Sequence, residues 1–271
     1  MLNISIVLYK TDLKQLNSLL NELLQVCCLN RIYLIDNSPI PTDNITPADK
    51  ITYLFQNTNN LGYGKAHNIA LKLSIQNNIP LHLVINPDVQ VRHADIDQLC
   101  DLMTANPQIG QLMPHVTYPD GSTQFLCKKL PTPLDLFARR FLPKKINAKR
   151  TQQYELRDTG YDKIMNVPYL SGCFMMLQTK AVQKAGLFDQ RYFMYPEDID
   201  LTRSIHRHFL TIYYPKVTII HNHQQSSYKN LKMLLIHIIN ICRYFNKYGW
   251  LYDPERKLFN SQAPSFPTII A

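Results

Sequence analysis

Residues 81–88 read LHLVINPD, an apolar run that ends in a polar turn. A short apolar run bounded by turn residues is typical of a buried strand. Asp88 therefore stands at the carboxyl end of a predicted strand, where a carboxylate can hold a hard cation against phosphate oxygens. The residues alone leave an alternative equally open, in which Asn86, Pro87 and Asp88 only form the turn that closes the strand.

Strand-like and helix-like segments alternate before this run. Residues 4–9, 31–35 and 51–55 are predicted strands, periodic leucines predict a helix over residues 12–28, and a second helix is predicted over residues 64–76. This order predicts an α/β fold with a mostly parallel central sheet flanked by helices. Ligands bind beyond the carboxyl ends of the strands in such sheets. The polar residues at those ends are Tyr9, Asp36, residues 57–62 and residues 86–88.

A second acidic group follows an aromatic stretch. Glu197 and Asp198 come directly after Pro196, at the predicted start of a helix over residues 197–210. A carboxylate in this position can take a proton from a hydroxyl. Adjacent side chains diverge on a helix, so one acid would face the pocket as a base while the other would orient it or meet a sugar hydroxyl. The alternative is that both acids only interact favourably with the helix dipole.

Composition sets broad limits on function. The chain has 271 residues with 29 Lys+Arg and 20 Asp+Glu, and the formal charge of +9 suits an anionic partner or simply a basic soluble enzyme. The six cysteines form no C-x-x-C pair, and the adjacent Cys27 and Cys28 are predicted to pack within the first helix as reduced thiols. Neither a signal peptide nor an apolar stretch near the ~20 residues of a bilayer span is present, which predicts a cytoplasmic protein.

Two further segments join strands to turns or helices. In residues 60–68, NLGYGKAHN, the glycines allow close backbone approach and a helix N-terminus offers N–H groups to phosphate, although a flexible helix start explains the pattern as well. His221 follows a predicted strand over residues 210–220. It could ligate a metal or touch a diphosphate, or it could be a solvated turn residue.

The second half of the chain is less regular. Residues 128–165 are rich in Lys, Arg and Pro, which predicts a mobile basic loop or lid. A long amphipathic helix is predicted over residues 227–248, either lying on an anionic membrane surface or, as we favour, packing on the sheet or on a second subunit. The predicted division is a domain over 1–226, with halves 1–110 and 111–226, followed by the C-terminal helix and tail, 227–271.

The order of motifs resembles that of the family 2 glycosyltransferases, in their rhamnosyltransferase-like branch. The resemblance covers nearly the whole chain and implies the GT-A fold, which binds nucleotide-diphosphosugars. The matching motifs are IVLY at 6–9, IDNS at 35–38, NLGYG at 60–64, NPD at 86–88, SGCF at 171–174, GLFD at 186–189, and the segments 192–201, 221–226 and 243–247.

The resemblance also implies roles for individual residues. Asp88 would hold a Mg²⁺ or Mn²⁺ ion that His221 approaches. Asp198 would be the catalytic base, with Glu197 beside the acceptor. Asp36 would meet the nucleoside, although from the residues alone it could merely cap a turn. The remaining donor-side residues would be Tyr9, Asn60, Gly62, Gly64, Lys65 and Asn86, and the acceptor side would comprise Ser171, Gly172 and Tyr195.

The resulting functional prediction is an inverting glycosyltransferase. It would move L-rhamnose from dTDP-L-rhamnose to a hydroxyl of a bacterial cell-surface polysaccharide, a lipopolysaccharide or a lipid-linked precursor. The alternative donors are a UDP-hexose and a UDP-N-acetylhexosamine. A nucleotidyltransferase ranks lower, because residues 9–12 lack a Gly-rich loop, and a basic binding protein for nucleic acid or membranes would not need paired acids.

The same prediction specifies the partners. These are a nucleotide-diphosphosugar donor and a glycan or polyprenyl-diphosphate-linked acceptor, with peripheral contact at the inner face of the cytoplasmic membrane, a homodimer as a further option, and no nucleic acid.

Overall fold

The computed structural model describes residues 1–57, 60–136, 144–222 and 231–269. Within them the strands are β1 Leu2–Leu8, β2 Leu29–Asp36, β3 Ile51–Phe55, β4 Leu81–Ile85, β5 Val89–Gln90, β6 Ile109–Thr117, β7 Cys127–Lys128, β8 Met165–Asn166, β9 Tyr169–Leu170, β10 Phe174–Gln178 and β11 Leu210–His221. The helices are α1 Leu13–Leu23, α2 Tyr63–Gln76, α3 His93–Ala105, α4 Lys144–Tyr154, α5 Thr179–Ala185, α6 Glu197–His206, α7 Leu231–Tyr248 and α8 Pro254–Gln262.

One sheet organises these elements. Its strand order is β3-β2-β1-β4-β10-β6-β11-β5, with β8 beside β11. Strands β1 to β4 run parallel to one another, and β6 is parallel to β11, whereas β10 runs antiparallel between β4 and β6. The predicted α/β fold, with its mostly parallel central sheet flanked by helices, is confirmed. The carboxyl ends of β1, β2 and β4 accordingly share one edge of the sheet.

The core lies on both faces of this sheet. Strand β4 is buried along its whole length, as expected for a continuous apolar run in a parallel sheet. One face packs against α1 and α3, and the leucines of α1 that face inward are Leu16, Leu19, Leu20 and Leu23. The other face packs against α2, α5 and α6. Helix α6, which carries the second acidic group, is thereby held against the same sheet as β4.

The first helix is shorter than its leucine pattern predicted. Asp12 caps its start by accepting from the N–H groups of Lys14 and Gln15, and α1 ends at Leu23, not at Cys28. The chain then turns toward β2, and the Cys27 N–H donates to Asp97 Oδ1 over 3.0 Å. The prediction that both cysteines pack inside a helix is therefore wrong, because Cys27 is exposed and Cys28 half-buried in this turn.

The described part of the basic segment 128–165 contains helices and strands that the sequence did not indicate. It contains α4, a 3₁₀ turn at Arg157–Thr159 and the start of β8, while residues 137–143 lie outside the described part. A loop or lid over the whole segment is therefore wrong. Helix α3 and strand β6 were not predicted from the sequence, and α6 ends at His206 instead of residue 210.

The C-terminal helix α7 is described from Leu231 onward, so the predicted first turn at 227–230 lies outside the described residues. Its inner side buries Asn240, Tyr244 and Phe245 against the domain, and its outer side leaves Leu235 and a pair of isoleucines, 238 and 239, exposed. No helix among the described residues is both long and apolar enough to cross a bilayer. Contact of the outer stripe with a membrane or a second copy stays a prediction.

The predicted division of the chain at residues 110 and 226 also stays a prediction. Strand β6 runs across the first of these borders. Residues beyond the second border return to the sheet side of the molecule, where Ser265 pairs with Asn166 of β8.

A chain of buried polar side chains crosses the contact between α2 and the central strands. Ser5 Oγ lies 2.7 Å from His67 Nδ1 and 2.9 Å from His82 Nε2, and His82 Nδ1 lies 2.7 Å from Ser74 Oγ. Burial lowers the pKa of His82 to about 3 and, with the nearby His82, lowers the pKa of His67 well below its usual value. Both imidazoles are therefore neutral in the folded protein at neutral pH.

Because His67 and His82 are buried and neutral, we expect the free energy of unfolding to decrease in mild acid. Below an unfolded-state pKa of about 6.5 the unfolded chain binds protons that the buried imidazoles do not, so the free energy of unfolding decreases as the pH falls. We expect the slope measured by urea unfolding to rise, for each histidine, from about 0.7 kcal/mol per pH unit at pH 6.5 to about 1.4 kcal/mol per pH unit near pH 5. His82→Gln should lose its share of this slope, and His208→Gln, at an exposed site, should retain all of it. An unchanged slope in His82→Gln would contradict the assignment.

Candidate functional site

The first part of the site joins the end of β4 to the end of β11. Strand β5 pairs antiparallel with β11, with His221 opposite Val89, and the Asn222 N–H donates to the Asp88 carbonyl over 2.9 Å. This pairing places His221 Nε2 3.3 Å from Asp88 Oδ1 and 3.5 Å from Asn86 Nδ2. Three side chains that the sequence assigned to the metal and the donor are therefore brought together by a two-residue strand.

Charge on His221 is favoured in this arrangement. Burial opposes the imidazolium, but nearby Cys173 and Asp88 outweigh burial and raise the pKa of His221 to about 10. His221 Nδ1 lies 3.0 Å from Oε1 of the buried Gln124. A metal bound through Nε2 would have to displace the proton on that nitrogen.

The donor set at this edge fits a cation only in part. It consists of the Asp88 carboxylate, the Asn86 amide and the His221 imidazole, and the described residues gather no group of three His, Cys, Asp or Glu side chains that could hold a metal. Sites for Mg²⁺ commonly use one or two carboxylates and complete the shell with substrate phosphates and water. The residues therefore fit a divalent cation shared with a diphosphate, and they do not form a closed metal centre.

The second part of the site is the acidic start of α6. Asp198 is buried and accepts three hydrogen bonds: Oδ2 from the Gly172 N–H over 3.1 Å and from the Tyr169 hydroxyl over 3.3 Å, and Oδ1 from the Ile199 N–H over 2.9 Å. Burial raises the pKa of Asp198, while these donors and the charge of Lys128 act in the opposite direction. The donors also fix the orientation of the carboxylate.

Glu197 differs from its neighbour in its surroundings. Its Oε2 is buried and has no hydrogen-bond partner among the described residues. Burial, together with the charge of Asp198, raises the pKa of Glu197 to about 8. Because Asp198 has donors that stabilise its ionised form and Glu197 lacks them on Oε2, Asp198 carries the charge at neutral pH and Glu197 the proton.

The two parts meet where β4 lies beside β10. The Asn86 N–H donates to the Cys173 carbonyl over 3.0 Å, next to Gly172, whose N–H binds Asp198. The Tyr63 hydroxyl donates to the Gly172 carbonyl over 2.5 Å. Burial raises the pKa of Tyr63 well above its usual value, and the nearby acidic groups of the site add to this effect. Tyr63 therefore lies among all the acidic groups of the site.

The glycines of residues 60–64 allow the start of α2 to pack closely against a neighbouring segment. Gly62 has a φ of 80°, and a Cβ there would lie 2.2 Å from the Phe193 carbonyl oxygen, which itself accepts from the Tyr63 N–H. A Cβ on Gly64 would lie 2.8 Å from Phe188 Cβ. These glycines let α2 pack against residues 188–193. The Asn60 side chain accepts from the Gly62 N–H. Donor contact by Asn60, Gly62 and Gly64 stays a prediction.

Asp36 shapes the loop that follows β2. Its carboxylate accepts from the N–H groups of Ser38 and Thr42, each over 2.8 Å, and from the Tyr53 hydroxyl over 2.6 Å. Burial opposes its ionisation, but these donors prevail and lower the pKa of Asp36. Tyr9, at 51% exposure, lies at the end of the neighbouring strand. Contact of Asp36 and Tyr9 with a nucleoside stays a prediction.

The remaining predicted residues are spread around the site. Gly172 contacts Asp198 through its N–H, and Ser171 precedes it as a half-buried residue. Lys65 is exposed on the outer side of α2, along a surface cavity of about 380 Å³ that Lys72 and Gln190 also line. The Tyr195 ring packs 5.1 Å from that of His237 in α7. Donor contact by Lys65 and acceptor contact by Ser171 and Tyr195 stay predictions.

Sequence reasoning missed Tyr63, Gln124, Lys128 and Tyr169 as members of the site. The pairing of β7 with β9, Lys128 opposite Tyr169, places the last two beside Asp198. Two of them had a usable signal, since Tyr63 lies inside the NLGYG motif at 60–64 and Pro119-Asp120-Gly121 is a strong turn sequence shortly before Gln124.

Solved structures of other proteins resemble this fold. GalNAc-T7, with UDP, GalNAc and Mn²⁺, matches 83% of this chain and 43% of its own, with a TM-score of 0.59 and 13% identity. The mannosyltransferase PcManGT from Pyrobaculum calidifontis, in complex with GDP-Man and Mn²⁺, matches 96% of this chain and 68% of its own, with a TM-score of 0.58 and 12% identity. The chain has the GT-A fold. The GT-A chain also matches TarS of S. aureus over 82% of its length and 36% of TarS, with a TM-score of 0.53 and 14% identity.

Curated relatives agree with the motif pattern. Two of them, from two strains of Mycobacterium tuberculosis, are named N-acetylglucosaminyl-diphospho-decaprenol L-rhamnosyltransferase and are each 30% identical over 150 residues, 54% of this chain and 48% of their own. The GT-A chain thus spans about half the length of the curated relatives it matches. No family model matches it. These relatives confirm the resemblance to the rhamnosyltransferase-like branch, and the solved structures confirm the fold.

Proposed function

We propose that this chain transfers a sugar from a nucleotide-diphosphosugar to an acceptor hydroxyl. One observation carries the proposal: the oriented, ionised Asp198 and the Asp88–His221 pair lie at one edge of the sheet, connected through residues 172–173. A base for the acceptor and a cation site for the leaving diphosphate are the two groups that such a reaction needs.

Asp198 acts on the acceptor. As the acceptor oxygen forms its bond to the anomeric carbon, the bond from that carbon to the diphosphate breaks and Asp198 takes the hydroxyl proton. A single in-line displacement of this kind inverts the configuration of the anomeric carbon. The raised pKa of Asp198 makes it a better base than an exposed aspartate. Its three hydrogen-bond donors hold the carboxylate in one orientation while the proton is transferred.

The other end of the site receives the diphosphate. Asp88 and His221, with Asn86 beside them, would hold a divalent cation there. When bound, Mg²⁺ or Mn²⁺ would neutralise the charge that develops on the departing diphosphate. The two neighbours solved with a nucleotide or nucleotide-sugar also contain Mn²⁺, which supports the assignment.

For the substrates we propose dTDP-L-rhamnose as donor and a polyprenyl-diphosphate-linked sugar as acceptor. The names of the curated relatives support both choices. The direct test incubates the purified protein with N-acetylglucosaminyl-diphospho-decaprenol and either dTDP-L-rhamnose, a UDP-hexose or a UDP-N-acetylhexosamine. Release of dTDP with a rhamnosylated product supports the proposal, and transfer from a UDP-sugar alone would replace the donor.

Donor binding should depend on Asp88. We expect the wild-type protein to bind dTDP more tightly with Mn²⁺ than with EDTA in a calorimetric titration, and Asp88→Ala to lose this difference because the cation loses its carboxylate ligand. Asp101→Ala removes an exposed carboxylate on α3 and serves as the control. Equal dTDP affinity in Asp88→Ala and wild type, with and without EDTA, would remove Asp88 from the cation site.

A further inference from the structure

Gln124 reaches the site through a tight hairpin. After β6 the chain turns at Pro119-Asp120-Gly121, where Gly121 has a φ of 82° and the Asp120 carboxylate accepts from the Ser122 N–H. The chain after the turn bonds back to β6, since Thr123 pairs with Thr117 and the Gln124 N–H donates to the Val116 carbonyl over 2.9 Å. The hairpin thus delivers the Gln124 side chain, which is buried, to the end of β11.

The hydrogen bonds of the Gln124 amide allow only one orientation. Nε2 donates to the His221 carbonyl over 2.7 Å and to the Thr117 carbonyl over 3.2 Å. Those two bonds use both amide hydrogens. If the amide were flipped, its oxygen would face two carbonyl oxygens, so Oε1 must be the atom that lies 3.0 Å from His221 Nδ1.

This orientation determines the protonation of the imidazole. An amide oxygen can only accept, so His221 Nδ1 must carry a hydrogen and donate it to Gln124. Nε2 is then the nitrogen that faces Asp88 and Asn86, and it is the only one that can give its lone pair to a cation. The same Nδ1–H bond exists in the charged and the neutral imidazole, so the argument does not depend on the titration of His221.

We propose that Gln124 is a positioning residue that presents His221 Nε2 to the diphosphate-bound cation. This inference rests on the proposed function and deepens it, because it assigns a residue that holds the cation ligand in one tautomer and one ring orientation. Partners that accept from the second nitrogen of a ligating histidine commonly contribute 10- to 100-fold to metal affinity.

The chain offers a matched control. Gln178 is also buried, and its Nε2 also donates to two backbone carbonyls, those of Met103 over 2.9 Å and Asn106 over 3.3 Å. It lies at the other end of β10 from the site. Gln124→Met and Gln178→Met therefore remove the same kind of buried amide, and only the first removes the acceptor for His221.

The test compares Mn²⁺ affinity by the EPR signal of free Mn²⁺, in the presence of dTDP. We expect Gln124→Met to bind Mn²⁺ about 10- to 100-fold more weakly than wild type and Gln178→Met to stay within about twofold. Wild-type affinity in Gln124→Met, or an equal loss in both variants, would overturn the proposal.

A second measurement uses the wild-type protein, so it tests the positioning of His221 by Gln124 even if a variant fails to fold. Histidine ¹⁵N spectra, assigned with His221→Asn, should show His221 protonated at Nδ1 in the free protein and unprotonated at Nε2 after addition of Mg²⁺ and dTDP. A hydrogen on Nε2 with Nδ1 bare would overturn the proposal, as would an imidazolium that persists with Mg²⁺ and dTDP bound. If the protein binds no nucleotide, the proposed function fails, and the free-protein spectrum still tests the Gln124 contact by itself.

Discussion

Asp198→Asn is expected to lower the turnover number of sugar transfer by about 10²- to 10⁴-fold, the usual contribution of a general base. The amide is nearly isosteric with the carboxylate but cannot accept the proton of the acceptor hydroxyl at neutral pH. Donor binding should be retained, because the Asp88–His221 pair is unchanged. The measurement is steady-state release of the nucleotide, together with calorimetric titration of dTDP and Mn²⁺.

The neighbouring acid provides the control for this prediction. Glu197 carries a proton at neutral pH, so Glu197→Gln changes no charge and should reduce turnover by less than about tenfold. The two variants are the same chemical change on adjacent residues of α6. If Glu197→Gln lost as much turnover as Asp198→Asn, or if Asp198→Asn lost donor affinity and kept its turnover, the assignment of Asp198 as the base would be wrong.

Arg203→Met is expected to destabilise the protein by about 3–5 kcal/mol, as measured by urea unfolding. The Arg203 side chain is 1% exposed, and its two terminal nitrogens bind the Asp253 carboxylate over 2.8 and 2.6 Å. Its Nε binds Glu255 over 2.6 Å, and its guanidinium stacks 3.8 Å from the centre of the Tyr248 ring. The substitution would leave the buried Asp253 carboxylate without its main cation, and an unpaired buried charge strongly destabilises the folded state.

An exposed ion pair of the same kind serves as the comparison. Arg191 is 59% exposed and binds Asp189 over 2.5 Å, so Arg191→Met should cost at most about 1 kcal/mol. In Arg203→Met/Asp253→Asn no buried charge is left in the pair, and the asparagine can still accept from the Arg256 N–H at the start of α8, so part of the lost stability should return. Similar losses in Arg203→Met and Arg191→Met, or no recovery in the double variant, would refute the role of the buried pair. Because Arg203 lies on α6, the helix that begins with Glu197 and Asp198, this cluster also anchors the acids of the site.

Much of the first half of the fold could be predicted because its signals are local. The strands at residues 51–55 and 81–85 lie where their apolar runs place them, since both ends are marked by turn residues. The first helix was predicted too long because Leu24 and Val26 continue the apolar pattern after the backbone has left the helix. Helix α3 and strand β6 were not predicted, although the buried Ile96, Leu99, Cys100 and Met103 of α3 have the spacing of an amphipathic helix.

The residues of the candidate site also differ in how far the sequence could predict them. Asp88 and Asp198 could be selected from the sequence, since each acid stands next to a strand end or a helix start. The partners of these acids could not. Tyr169 and Lys128 reach Asp198 through a pairing of two-residue strands, and Gln124 reaches His221 across 97 positions of the chain.

The sequence by itself determined the α/β class, the order of the first strands and helices, and the acids that stand at their ends. These features follow from local periodicity and turn chemistry, which act over a few residues. Only the tertiary structure decided which acid is charged and which histidine nitrogen faces Asp88. Burial and hydrogen-bond partners set those properties, and the folded chain supplies both from segments that are far apart in sequence.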